Sequence, residues 1–270
     1  IPYATLRYRA AMSETGSTRA DLDLALSLAD EADAITLAHF RSRTLQVQTK
    51  ADDTPVTEAD REVEEHIRSV LGQQRPNDYV VGEELGGDPG TGRRWIIDPI
   101  DGTKNYVRGV PVWATLIALT VDEDIAVGVV SAPALGRRWW AALNQGAWSK
   151  GPEDSENRRL AVSTIDHITD ASLSVSDDVG WPPEAWAALT ASVWRFRAYG
   201  DFWSHLLVAE GAVDIAAEPE LKLWDFAALV PIVNEAGGKI TGFDGAYPAN
   251  SALTTNGRLH DRVLSLMWRG

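Results

Sequence analysis

The sequence contains no cysteine, which excludes disulfides, thiolate zinc sites and a cysteine nucleophile. That usage is compatible with the cytoplasm. It also lacks any apolar run long enough to span a bilayer. Nor is there a surplus of positive charge: 25 Lys and Arg stand against 39 Asp and Glu, a formal net charge of −14. This balance argues against general binding to nucleic acid or to an anionic membrane. It would also repel an anionic substrate, unless divalent cations occupied some of the surplus carboxylates.

What is present is ordinary for a globular chain: 270 residues, 44% hydrophobic and 24% charged, enough for one large domain or two lobes. Met12-Ser13-Glu14 reads as a bacterial start, so residues 1–11 read as an extension or a cloning remnant, and residues 1–17 as lying outside the ordered fold. Arg7 and Arg9 are basic, but no apolar segment follows them as in a signal peptide.

The chain is organised around Trp95-Ile96-Ile97-Asp98-Pro99-Ile100-Asp101-Gly102-Thr103-Lys104-Asn105. The apolar, β-branched start reads as a buried strand. Pro99 lacks an N–H and restricts its predecessor, so the strand is expected to stop at Asp98. Gly102 tolerates positive φ, and Thr103 is expected to cap a short helix beginning at Lys104. Two carboxylates, a free Ile100 carbonyl and a helix N-terminus then meet at one strand end. Hard oxygen ligands suit Mg²⁺, and helix N–H groups suit phosphate. Alternatively, Asp-Pro and Asp-Gly are merely turn dipeptides.

Around this stretch the pattern predicts a helix over 18–40, with Leu24, Leu28, Ile35 and Ala38 on its apolar face. A short strand follows at 45–48. A second helix, capped by Thr57 with Asp60 at the capping-box position, buries Val63, Ile67, Val70 and Leu71. A strand at 78–81 precedes Gly82-Glu83-Glu84, whose acids read either as solvated loop charges or as part of a site. Antiparallel strands are expected at 114–121, 125–130 and 138–142. The polar segment 151–157 marks a boundary between lobes 18–152 and 153–270 that form one catalytic unit. Beyond it, alternating strands and helices imply an α/β lobe, with helices over 183–192, from Gly200-Asp201 to 210, from Trp224-Asp225 to 236, and after 256.

Gly82-Glu83-Glu84, the stretch from Trp95 to Thr103, and Trp224-Asp225 with Glu235-Ala236-Gly237-Gly238 resemble the signatures of the inositol monophosphatase family, of the lithium-sensitive, Mg²⁺-dependent phosphatase superfamily. The resemblance covers the chain from about Leu22 onward. It implies a layered α-β-α-β-α sandwich like that of fructose-1,6-bisphosphatase, a homodimer, and two or three Mg²⁺ ions, with Mn²⁺ as a possible substitute. By the same resemblance Glu83, Asp98, the Ile100 carbonyl, Asp101 and Asp225 match metal ligands. Asp60 matches an aspartate that holds a further ion through water and orients Thr103. The Gly102 and Thr103 amides match the phosphate contacts, and Lys50 a lysine near the metals. The implied reaction is in-line hydrolysis of a small phosphate monoester without a covalent phosphoenzyme. None of His39, His66, His167, His205 and His260 matches a catalytic position.

For the leaving group, Glu218 matches an acid that touches substrate hydroxyls, and Gly200-Asp201 fall on the loop beside it. Two carboxylates there suggest a cationic substrate, and the wider pattern resembles the actinobacterial histidinol-phosphate phosphatases of the family. The alternative reading of Asp201 is a helix N-cap and nothing more. An inositol-1-phosphatase or a broad sugar phosphatase is the other enzymatic reading, and a catalytically idle phosphate- or metal-binding regulator the remote one.

Overall fold

The structure, a computed structural model, describes residues 15–49, 55–88 and 90–267; Lys50 and the N-terminal extension fall outside these. Helix α1 (Thr15–His39) is followed by a two-stranded hairpin of β1 (Val47–Thr49) and β2 (Pro55–Thr57). Helix α2 (Glu58–Gln74) starts on the expected capping box of Thr57 and Asp60. The buried face of α1 is Leu24, Ala25, Leu28, Ala29 and Ala32. Ile35 and Val70 of α2 are half-buried, packed at the margin of this core, and Ala38 is exposed.

Seven strands then form one sheet in sequence order: β3 (Tyr79–Gly82), β4 (Arg93–Asp101), β5 (Ala114–Val121), β6 (Asp124–Ala132), β7 (Arg137–Ala142), β8 (Ala147–Lys150) and β9 (Arg158–Arg159). Only the β3–β4 pair is parallel. Side chains alternate across the pleat. Trp95, Ile97, Ile117, Leu119, Val127 and Val129 meet α1 and α2, packing with Leu28, Val63, Ile67 and Leu71. Ile96, Leu116, Ala118 and Val130 face the other way. Strand β8 was not expected, and β9 pairs in this sheet although it lies beyond residue 152.

The second sheet has the order β11 (Arg195–Arg197), β10 (Ser172–Ser174), β12 (Ile215–Glu218), β14 (Ala252–Thr255), β13 (Lys239–Thr241). Helices α5 (Asp201–Ala209), α6 (Leu223–Ala227) and α7 (Leu229–Glu235) lie between the sheets. Phe202, Leu206, Phe226 and Ile232 share a core with Leu116 and Val130, while Val208 packs on Ala216 of β12. Helices α4 (Pro183–Ser192) and α8 (His260–Met267) cover the outer face, where Leu189, Val263 and Leu266 meet Leu173, Ile215 and Leu253. The layers are thus α-β-α-β-α, as expected. Among the described residues no helix is long and apolar enough to cross a membrane.

Two departures from expectation lie at prolines. Strand β4 does not stop at Asp98 but runs to Asp101, with one extra residue inserted: Asp98 pairs with Leu116 and Asp101 with Ala114. Pro99 lies in this bulge, where no ladder N–H is demanded of it. The helix expected from Trp224 to Ala236 is broken into α6 and α7, because Pro231 has no N–H to bond the carbonyl four residues back.

Helices α6 and α7 press closely on the first sheet. A Cβ at Gly128 of β6 would overlap the Ala228 carbonyl and come within 2.7 Å of Pro231 Cγ. Gly128→Ala should therefore destabilise the protein by about 1–3 kcal/mol through overpacking, visible as a lower melting temperature; an unchanged melting temperature would contradict this close approach.

Candidate active site

The bulge in β4 turns consecutive acids toward one place. Asp98 is 1% exposed, and its Oδ1 is buried without a partner. Asp101 Oδ2 accepts a hydrogen bond from the Phe202 N–H at the start of α5, 2.9 Å. Asp225 Oδ2 accepts from the Lys222 N–H, 2.6 Å, at the start of its own helix. Asp98, Asp101 and Asp225 each bring a carboxylate oxygen within 4.8 Å of the others. Glu83 follows the end of the neighbouring β3, its N–H donating to the Ile97 carbonyl, 3.2 Å.

Such crowding disfavours charge. Burial first, then Glu83, Asp101, Asp225 and Asp60, hold the Asp98 carboxyl well above the usual range. Asp101 is raised likewise by burial, then by Asp201 and Asp225. Burial pushes Asp225 up to about 7, with Glu83 and Asp201 adding to it. Asp60 also rises to about 7, chiefly by burial, with help from Glu84 and Glu83. An all-oxygen set with an orphaned buried carboxylate oxygen is what a hard divalent cation fits.

Three local expectations are corrected. Gly102, at φ +82°, is the N-cap of α3 (Thr103–Val107), and Thr103 is its first helical residue rather than the cap. The Ile100 carbonyl is not free: Thr103 Oγ1 donates to it, 2.9 Å. Asp60 does not bond Thr103. Its Oδ2 accepts from the Thr57 N–H, 2.8 Å, and from Thr57 Oγ1, 2.6 Å, because the capping box claims that oxygen. Asp60 Oδ1 remains buried without a partner, so the structural reading of this residue accounts for only one of its two oxygens.

Beside the cluster lies a second acidic group. Gly200 is the N-cap of α5 at φ +91°, and Asp201, the first helical residue, has φ +46°. Asp201 is therefore not the cap. Its N–H donates to Ser176 Oγ, 2.7 Å, and its Oδ2 accepts from Asn105 Nδ2, 3.0 Å. Glu218, at the end of β12 and 7% exposed, accepts on Oε1 from the Ser176 N–H and Oγ, at 2.6 and 2.8 Å. Burial, with Asp201 and Asp177 behind it, pushes Glu218 up to about 8. Asp177 and Asn105 were not singled out in the sequence. The signal for Asp177 was available: it opens an acid pair, Asp177-Asp178, as Glu83 does with Glu84.

The layered fold and the carboxylate cluster at the end of β4, taken with the family match, make this chain a phosphoric monoester hydrolase. The chain belongs to the inositol monophosphatase family, whose sequence model matches residues 19–270. It is 56% identical over 257 residues to a histidinol-phosphatase of Mycobacterium tuberculosis, covering 93% of this chain and 98% of the relative. It is 54% identical over 258 residues to a histidinol-phosphatase of Streptomyces coelicolor, covering 92% and 96%. Among solved structures, the Thermotoga maritima IMPase superposes with a TM-score of 0.82 at 29% identity, covering 92% of this chain and 96% of that one.

The raised carboxyls fix a pH dependence. A carboxyl with a higher pKa folded than unfolded makes the folded state bind more protons, so stability falls as pH rises from about 4 toward about 8. Without metal the protein should melt progressively lower between pH 5.5 and 8. Mg²⁺ held at one concentration, 100 times its dissociation constant at pH 5.5, should add about 2.7 kcal/mol there, and this gain should grow with pH as the carboxyls ionise and bind the ion more tightly. Thermal scans in EDTA and in Mg²⁺ across that range check both slopes; a Mg²⁺ effect that is absent or shrinks with pH would contradict them.

Proposed function

We propose that this protein is a Mg²⁺-dependent histidinol-phosphate phosphatase, converting L-histidinol phosphate and water to L-histidinol and phosphate. The observation that carries the substrate is the set of three carboxylates, Asp177, Asp201 and Glu218, gathered around Ser176 beside the acidic cluster. A leaving group bearing an ammonium and an imidazole complements it. The full-length likeness to two histidinol-phosphatases supports the same choice.

In this reading Glu83, Asp98, Asp101 and Asp225 hold the metal, two or three ions in all, with Mn²⁺ able to substitute. The Ile100 carbonyl keeps a second lone pair beyond the one that Thr103 uses. When bound, the metal neutralises phosphoryl charge and acidifies an attacking water. Thr103 Oγ1 donates to Ile100, so its oxygen is left to accept from that water and orient it. Asp60 Oδ1, buried and unpartnered, is the acceptor where the released proton can rest. The Gly102 and Thr103 amides at the start of α3 bind the phosphoryl oxygens. The same reading includes Li⁺ inhibition, a homodimer and a cytoplasmic location.

At the leaving-group side, an arriving cation favours the ionised form of Glu218 and turns a desolvated carboxyl into one half of a charge-assisted pair. Asn105 holds the Asp201 carboxylate in place. Such a pair contributes roughly 1.5–3 kcal/mol, so Asp201→Asn and Glu218→Gln should each lower kcat/KM for L-histidinol phosphate by about one to two orders of magnitude. The same variants should change much less with inositol-1-phosphate or glycerol-2-phosphate. Equal losses on all three esters would make the two residues structural, and a wild type preferring inositol-1-phosphate would overturn the assignment.

A further inference from the structure

Glu64, on α2, is absent from every role assigned above, yet it is fully buried and both of its carboxylate oxygens are occupied. Oε2 accepts from the Glu84 N–H, 2.8 Å. Oε1 accepts from the Leu85 N–H, 3.2 Å, and from Arg68 Nε and Nη2 at 2.9 and 2.7 Å. Arg68 in turn donates to the Val80 carbonyl, 3.3 Å, and to the Gly86 carbonyl. The segment from Gly82 to Gly86 is closed on itself by a hydrogen bond from the Gly82 N–H to the Gly86 carbonyl, 2.9 Å.

The carboxylate of Glu64 thus sits inside a turn of backbone N–H groups, as a bound anion sits in such a concavity. Gly82 is required there, since a Cβ would overlap the Glu64 carboxylate. The residue that this turn presents is Glu83. We propose that Glu64 is a positioning residue for the active site: by filling the 82–86 turn it fixes the direction in which Glu83 reaches the Asp98 cluster. Glu64 has this role only if Glu83 is a metal ligand, as proposed above.

A purely stabilising ion pair predicts something different. A buried Glu–Arg pair often contributes little net stability over apolar residues of the same size, and Arg68 alone would satisfy the charge of Glu64. Two further hydrogen bonds from the turn serve orientation. Groups that orient metal ligands typically shift metal affinity by about 10–100-fold when altered. In Glu64→Gln the amide nitrogen must point an N–H at one of the two backbone donors, so the turn loses its anchor while the volume is kept.

The test measures Mn²⁺ binding by electron paramagnetic resonance, without substrate, for wild type, Glu64→Gln, Glu83→Gln and the double variant. Glu64→Gln should raise the half-saturating Mn²⁺ concentration about 10–100-fold, and the double variant should bind no worse than Glu83→Gln alone. Arg68→Lys keeps the charge but drops the fork, and should show a smaller loss in the same direction; it carries the test if Glu64→Gln does not fold. Unchanged Mn²⁺ binding in a folded Glu64→Gln, or in Arg68→Lys when that variant must stand alone, overturns the positioning role, as do losses that multiply in the double variant. If Glu83→Gln itself binds Mn²⁺ normally, Glu83 is no ligand and the metal assignment fails together with the role of Glu64.

Discussion

The structure depends on mutual repulsion that is tolerated at one strand end. Asp98, Asp101 and Asp225 crowd their oxygens within 4.8 Å, with Glu83 the strongest charged neighbour of Asp98. A fold does not assemble such a group for stability, since buried like charges raise one another's pKa and cost free energy when ionised. The scaffold compensates with rigidity. The seven-stranded sheet is packed on both faces, by α1 and α2 on one side and by α5 to α7 on the other. The bulge at Pro99 then places Asp98 and Asp101 together without loosening the strand. Strain elsewhere in the site is local: Asp201 holds a left-handed backbone conformation where its N–H and carboxylate are both engaged.

The same arrangement links chemistry to the two halves of the chain. The first half supplies β3 and β4 with Glu83, Asp98 and Asp101. The second supplies Asp225 from α6 and the α5 N-terminus, whose Phe202 N–H bonds Asp101. Ser176 joins Asp201 to Glu218, so this second acidic group is drawn together from separate elements of the second half. The two carboxylate groups interact directly, because Asp201 is the charge that acts most strongly on Asp101.

Much of this was legible in the sequence. The layered fold followed from the family resemblance of the motifs, and the burial of Trp95, Ile96 and Ile97 from their β-branched, apolar run. Asp98, Asp101 and Asp225 stood out because acids at strand ends and helix starts are readable from turn chemistry. The Thr57–Asp60 capping box was equally plain. What sequence could not supply was competition between partners. Nothing in the spacing says that Thr103 would bond Ile100 rather than Asp60, or that Pro99 would be absorbed as a bulge. Glu64 was hidden for a related reason: an acid inside an amphipathic helix reads as solvated until its partners, the N–H groups of a distant turn, are brought beneath it.

The central claim is that the carboxylates at the end of β4 form one divalent-metal site for phosphate-ester hydrolysis. Crystals grown with Mn²⁺ and inorganic phosphate, with anomalous diffraction recorded at the manganese edge, test it most directly. A strong anomalous peak should lie among the oxygens of Glu83, Asp98, Asp101 and Asp225, with phosphate against the start of α3. A map without that peak, or with manganese bound elsewhere while those carboxyls hydrogen-bond one another, would contradict it.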